Sequence, residues 1–376
     1  MRALLLVIHL PGMDPSGEGE SGFAQLLREA PDLEIPTLLS LGLGEIAAGR
    51  VYDPPLRRCA ASYGRMRLAS AQADPVSVLW ELAGVVSPEG FRAVESLPAE
   101  TLAAIEAETG ATFLANECGK LPELIARFGR EHLLTGQPIL YSVPGSTLEL
   151  AAHRSVLASA ELYRLARVIR RQVDALRVQR VMVRSLEGDW GEWGVSAVHE
   201  LPIVPPRTIF NALSDRGLPV EAVGNIGEAF GGSGITRAHP SGSARQTLQM
   251  IREPWLAMER GAVIAHLREP GTLVEQARLM ESIDDWLCDF VEELEPDDLL
   301  LLAGEHGHSP PLPRHEEAPV LVCYDGRTGP LGVRESRVDV AATLAAFFDL
   351  PPAEEGGWSQ GVPMITFHRP GGFRIP

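Results

Sequence analysis

Imidazoles and one carboxylate gather where short apolar runs end. His9 closes the run 3–10, His266 closes 262–267, and Glu305-His306-Gly307-His308 follows 298–303 directly, with Asp14 and His315 nearby. Five of the ten histidines fall in this group. Nitrogen and oxygen donors converging in one place can bind a metal, and two bound metals can clamp both oxygens of a phosphoryl transfer. A lone histidine at a strand end is more often a hydrogen-bonded surface residue than a ligand. The 305–315 segment is the stronger signal, because it keeps several donors in one loop.

Two further segments carry potential chemistry. Ser77, in Asp74-Pro75-Val76-Ser77, stands at a helix start, where a hydroxyl can act as a nucleophile or simply cap the helix. From spacing alone the cap is favoured. Gly231-Gly232-Ser233-Gly234 can approach a phosphate through backbone N–H groups, but lacks the trailing lysine of a P-loop.

The elements that position these groups follow from periodicity. Apolar runs at 3–10, 220–226, 262–267, 298–303 and 319–324 fit strands buried on both faces. Helical spacing at 21–29, 242–251, 273–294 and 338–348 alternates with them. The expectation is an α/β fold with a doubly wound, mostly parallel sheet, whose ligands collect at the carboxyl ends of the strands. The middle of the chain reads differently. A helix-rich start, strands at 111–116, 137–143 and 180–184, a helix at 159–176 and a proline-rich exit at 202–206 suggest an inserted, smaller α/β cap. The expected division is core 1–86, cap 87–206 and core 207–376.

Composition narrows the partners. At 376 residues the chain is long enough for two cores, and a net charge of −17 disfavours phosphate-backbone binding, so no nucleic acid is expected. Cys59, Cys118, Cys288 and Cys323 form no CxxC pair and read as reduced core thiols. The opening run is too short for a membrane span and lacks a cleavage site, so a cytoplasmic protein with no membrane partner is expected.

Longer segments then resemble one family. Leu41-Gly42-Leu43-Gly44, Leu79-Trp80-Glu81-Leu82-Ala83-Gly84, the run from Glu131 to Tyr141, Ala151-Ala152-His153 with Glu161-Leu162-Tyr163, Phe230 to Thr236, and Leu331 to Glu335 are collinear with phosphopentomutases. These belong to the alkaline phosphatase superfamily and are related to cofactor-independent phosphoglycerate mutase. The resemblance runs nearly end to end and implies an alkaline phosphatase-like, metal-bearing core with an inserted cap. It further implies transfer of a phosphate between the 1 and 5 positions of ribose or deoxyribose, with two manganese ions and a phosphorylated threonine.

Residue by residue the pattern departs. Where the family's first strand ends in a metal-binding Asp, this chain has His9. The family's Asp-His-Gly is Glu305-His306-Gly307, and its later histidine ligand corresponds to His315. An Asp and a His expected after 262–267 are not there, though His266 lies close by. The nucleophile motif Asp-Thr-x-Thr-Gly-His-Trp-Glu is Asp74-Pro75-Val76-Ser77-Val78-Leu79-Trp80-Glu81, so the first threonine is a proline and Ser77 holds the place of the second. The cap motif Ala-Asp-Ser-Val is Pro144-Gly145-Ser146-Thr147, which keeps Ser146 as a substrate contact but loses the sugar-binding carboxylate. A lysine gives way to Asn225, while Arg184 remains as a phosphate contact for a small sugar phosphate.

Histidine in place of aspartate suits zinc or iron better than manganese. The expectation is a phosphopentomutase-like protein whose ordinary mutase activity is lost or strongly reduced, with a divalent metal or none. The alternative is a phosphatase, phosphotransferase or phosphopentomutase using a rebuilt site of His9, His266, Glu305, His306, His308 and His315. The sequence names no protein partner.

Overall fold

The structure is a computed structural model and describes residues 1–9, 22–46, 60–267, 272–305, 317–351 and 357–367. Two compact units result, one of Met1–Glu89 with Pro205–Pro376 and one of Gly90–Val204. In chain order, unit 1 opens with β1 (Arg2–Ile8), α1 (Gly22–Glu29), α2 (Pro36–Ser40), α3 (Leu43–Ile46), β2 (Ser62–Met66) and α4 (Pro75–Leu82). Unit 2 holds α5 (Ala99–Thr109), β3 (Leu114–Cys118), α6 (Leu121–Thr135), β4 (Ile139–Val143), β5 (Thr147–His153), α7 (Ser159–Val173), β6 (Arg180–Glu187) and β7 (Gly194–Pro202). Unit 1 resumes with α8 (Ile209–Asp215), β8 (Val220–Gly224), α9 (Ile226–Ala229), β9 (Arg237–His239), α10 (Ala244–Ala257), β10 (Gly261–His266), α11 (Leu273–Glu292), β11 (Leu299–Gly304), β12 (Ala318–Cys323), β13 (Gly329–Arg334) and α12 (Val338–Phe348).

The unit 1 sheet has the order β13-β2-β12-β11-β1-β10-β8-β9. Among its described pairings β12 alone runs against its neighbours, so the other seven strands end at one edge and β12 begins there. β1 is buried at every position from Ala3 to Ile8, which means both faces of the sheet are covered. The mixed α/β, doubly wound expectation therefore holds. On one face Leu4, Leu6, Ile8, Leu300 and Leu302 pack with Trp255, Ile283, Leu287 and Phe290 from α10 and α11. Burying each large apolar side chain of this kind is worth about 1.5–3 kcal/mol.

Three strands of this sheet are not visible as apolar runs. β2 alternates buried and half-buried residues around Gly64 and Arg65. β13 contains Pro330 and Gly332 and reads as a turn, yet sits at the sheet's edge, where a proline lacking its N–H is tolerated. β9 is only three residues long.

In unit 2 the sheet order is β3-β4-β5-β6-β7. Leu140, Leu148, Leu150, Val181 and Val183 face α5 and α7 through Ile105, Leu162, Leu165 and Ile169. The opposite face packs Ile139, Tyr141 and Ala151 against Leu124 of α6. β5 and β7 were absent from the sequence expectation. The expected core thiols are corrected as well: Cys118 and Cys288 are exposed, only Cys323 is buried, and Cys59 lies outside the described residues. Among the described residues no helix is long and apolar enough to cross a membrane.

Candidate active site at the carboxyl ends of the central strands

β1 lies between β10 and β11, and the register sets Val7 beside His266 and Ile8 beside Gly304. The ladder continues one step further, since Leu267 N–H donates to Val7 O (2.9 Å) and Glu305 N–H to Ile8 O (2.8 Å). His9, His266 and Glu305 are thereby delivered to one place. His266 Nε2 lies 3.1 Å from Glu305 Oε2, and His9 Nδ1 lies 3.9 Å from the same oxygen. His9 is 4 % and Glu305 3 % exposed. A carboxylate so withdrawn from water needs partners, and the two imidazoles are among them.

Beneath this group sits a charge the sequence did not advertise. Arg337, 1 % exposed, donates from Nη1 to Glu305 O (2.6 Å) and Gly304 O (3.4 Å). Burial pushes its guanidinium down to about 10, with Glu81 and Glu305 acting in the opposite direction, so it stays a cation at neutral pH. Glu81, on α4, accepts from Ala69 N, Ser70 N, Ser70 Oγ, Ser336 Oγ and Arg337 N, all within 3.0 Å. It ties the segment after β2 to the start of α12. The available signal was a glutamate inside the wholly apolar surroundings of Trp80 and Leu82.

The same edge carries a second missed group. Glu317, immediately before β12, receives Arg67 Nε (3.0 Å) and faces Arg65 Nε (3.2 Å), and Arg67 also reaches Glu335. Only the antiparallel placement of β12 brings residue 317 to this edge, and spacing in the sequence does not reveal that.

Ser77 serves neither as helix cap nor as an open hydroxyl. The N-cap of α4 is Asp74, whose side chain accepts from Val76 N (3.0 Å) and Ser77 N (3.1 Å), with Pro75 at the first helical position. A proline there costs nothing, because that N–H has no intrahelical acceptor. Ser77 Oγ donates to Asp74 Oδ2 (2.5 Å), and the residue is 0 % exposed. The hydroxyl is thus committed to the cap three residues earlier. The glycine-rich loop is packed only at its far end, where a Cβ at Gly234 would fall 2.5 Å from Asn211 N and Asn211 Nδ2 donates to Ser233 Oγ (2.9 Å), while Gly231 and Gly232 are exposed.

In unit 2, Arg184 is held by Glu149, with Nη2 donating to Oε1 (2.8 Å) and Nε to Oε2 (2.5 Å). Tyr141 OH donates to the same carboxylate. The Arg184–Glu149 hydrogen bonds raise the guanidinium pKa, while burial first and Glu149 second push the phenol up. Ser146 Oγ donates to Arg92 O (2.7 Å) and accepts from Gln179 N (2.9 Å), which makes it a clasp for the β4–β5 turn. Thr147 pairs with Arg180, so Arg184 stands about 13 Å further along β6, at roughly 3.3 Å per residue. Ser146 and Arg184 are not brought together.

His306, His308, His315 and Asp14 lie outside the described residues. Among the described residues no group of three or more His, Cys, Asp or Glu side chains is arranged to hold a metal ion. The donors that do converge are one carboxylate, already bonded to His266, and two imidazoles, with a guanidinium behind them. That set does not fit a pair of manganese ions, which call for several carboxylate oxygens.

A doubly wound α/β core with its polar groups at the carboxyl edge, joined to a second α/β unit, defines the class. The chain belongs to the phosphopentomutase family. It is 33% identical to the phosphopentomutase of Syntrophotalea carbinolica, covering 93% of this chain and 95% of that one. The phosphopentomutase of Desulfitobacterium hafniense is 32% identical over 92% and 95% of the two chains. No family model matches the chain. Among solved structures, cofactor-independent phosphoglycerate mutase from Thermoplasma acidophilum aligns with 86% of this chain and 90% of that one, at 12% identity and a TM-score of 0.34.

Proposed function

We propose that this is a phosphopentomutase-like protein in which ordinary turnover, ribose 1-phosphate to ribose 5-phosphate, is lost or strongly reduced. The observation that carries this reading is the start of α4, where Pro75 offers no hydroxyl and that of Ser77 is buried against Asp74. Loss of a nucleophile alone typically costs on the order of 10³-fold or more in rate. Neutralisation of Arg184 by Glu149 supports the same reading, because charge-assisted bonds to phosphate are the strong ones. A divalent ion is the cofactor that family membership suggests. The described donors do not suit the manganese pair.

A second reading, a metal-dependent phosphatase or phosphotransferase with a rebuilt site, draws on the convergence of His9 and His266 on Glu305. With His306, His308 and His315 it would hold zinc or iron in preference to manganese. The cytoplasm is the compartment we assign to either. One assay separates the readings. Purified protein is given ribose 1-phosphate with Mn²⁺ beside a family relative, and 4-nitrophenyl phosphate with Zn²⁺ or Fe²⁺. The expected result is mutase turnover about 10³-fold or more below the relative. Turnover equal to the relative's overturns the proposal, and metal-dependent ester hydrolysis favours the second reading.

A further inference from the structure

A guanidinium fully shut away from water is costly unless opposite charge accompanies it. Arg337 is such a group, and it sits where the central strands end. Its described hydrogen bonds go to the main chain, Glu305 O and Gly304 O, and its Nε has no hydrogen-bond partner among the described residues. Its own backbone N–H donates to Glu81 Oε1 (3.0 Å). The carboxylates that act on it are Glu81 and Glu305. Glu81 is saturated by five donors from the protein, while Glu305 turns its side chain to His266 and His9. In this layer, then, two carboxylates face one resident cation. A divalent ion arriving at Glu305 would stand close to a positive charge fixed in a medium of low dielectric, where like charges repel strongly.

We propose that Arg337 is a built-in cation of the strand-end site: it supplies the positive charge that balances Glu305 and Glu81, and it thereby weakens divalent-metal binding at Glu305. The inference rests on the reading of this edge as the site of the family's chemistry, and its test reads affinity instead of turnover. Mn²⁺ alone and Zn²⁺ alone are titrated into the full chain by calorimetry. Arg337→Met is expected to bind at least about tenfold more tightly than wild type, as removal of a nearby like charge requires. Arg337→Lys, which keeps the charge, is expected to match wild type within about threefold. Adding Glu305→Gln to Arg337→Met is expected to erase the gain.

Equal affinity in wild type and Arg337→Met overturns the inference, and so does a gain of the same size in Arg337→Lys. Should Arg337→Met fail to fold, the charge-matched double variant decides: its folding supports charge balance, and its failure to fold assigns Arg337 a role in shape only and overturns the inference. Mutase turnover at a relative's rate together with the affinity gain would sink the functional reading and leave this inference standing. Absence of turnover with no affinity gain would do the reverse.

Discussion

Glu149 and Glu305 are both carboxylates drawn almost wholly out of water, yet their partners give them opposite consequences. Glu305 is faced by two imidazoles, whereas Glu149 is closed by a permanent guanidinium and a phenol. The Arg184 fork is thereby taken by an internal anion in the geometry a phosphate would use. Glu149→Gln should release it. The expected outcome, read by calorimetric titration with ribose 5-phosphate, is a gain in affinity of up to about tenfold. Arg184→Met in the same background should abolish the gain. Strand-end reasoning found His9, His266 and Glu305 because a parallel sheet brings residues far apart in sequence to one edge. It missed Glu81, Arg337 and Glu149, because nothing in spacing tells a solvated carboxylate from one bracketed by main-chain N–H groups.

At the scale of elements, legibility followed hydrophobic period. β1, β8, β10, β11 and β12 are apolar runs buried on both faces and could be read directly, as could α11 behind its Thr272 cap. β2 and β13 were illegible, since their pairing is specified by close backbone approach in place of apolar side chains. Gly64 on β2 shows how: a Cβ there would lie 2.6 Å from Gly332 O and 2.8 Å from Leu331 Cβ. The β13 register shifts between Pro330 and Gly332, and Gly332 adopts φ 70°, a conformation glycine takes without strain. Neither neighbour is the tip of a flexible side chain, so the strands must part to admit a methyl group. Gly64→Ala is therefore expected to cost about 1–3 kcal/mol, the range for overpacking a close-fitting site, measured by urea unfolding. An unchanged midpoint would show that β13 can shift freely.

For the molecule as a whole, one route by which pH acts is a buried histidine, whose charged form is disfavoured by burial. His132 is 0 % exposed in unit 2. Its Nδ1 lies 2.7 Å from Gln137 O and so carries the proton, while its Nε2 accepts from His153 N–H (2.8 Å). Trp193 packs against both imidazoles, stacked on His153 and edge-on to His132. Burial first, and the His153 imidazole as a smaller cause, hold His132 below the usual histidine range. The folded state therefore keeps the neutral ring where the unfolded chain takes up a proton. Stability from this residue is fully present above the unfolded value of about 6.5, and falls by up to about 1.4 kcal/mol per pH unit below it, until the folded group also titrates. Glutamine can donate to one carbonyl and accept from one N–H, as this tautomer does, without a titrating group. In His132→Gln the difference in unfolding free energy between pH 7 and pH 5 should shrink relative to wild type. Parallel pH profiles for the two proteins would mean that His132 accepts a proton in the folded state without loss, which its bond from His153 N–H forbids.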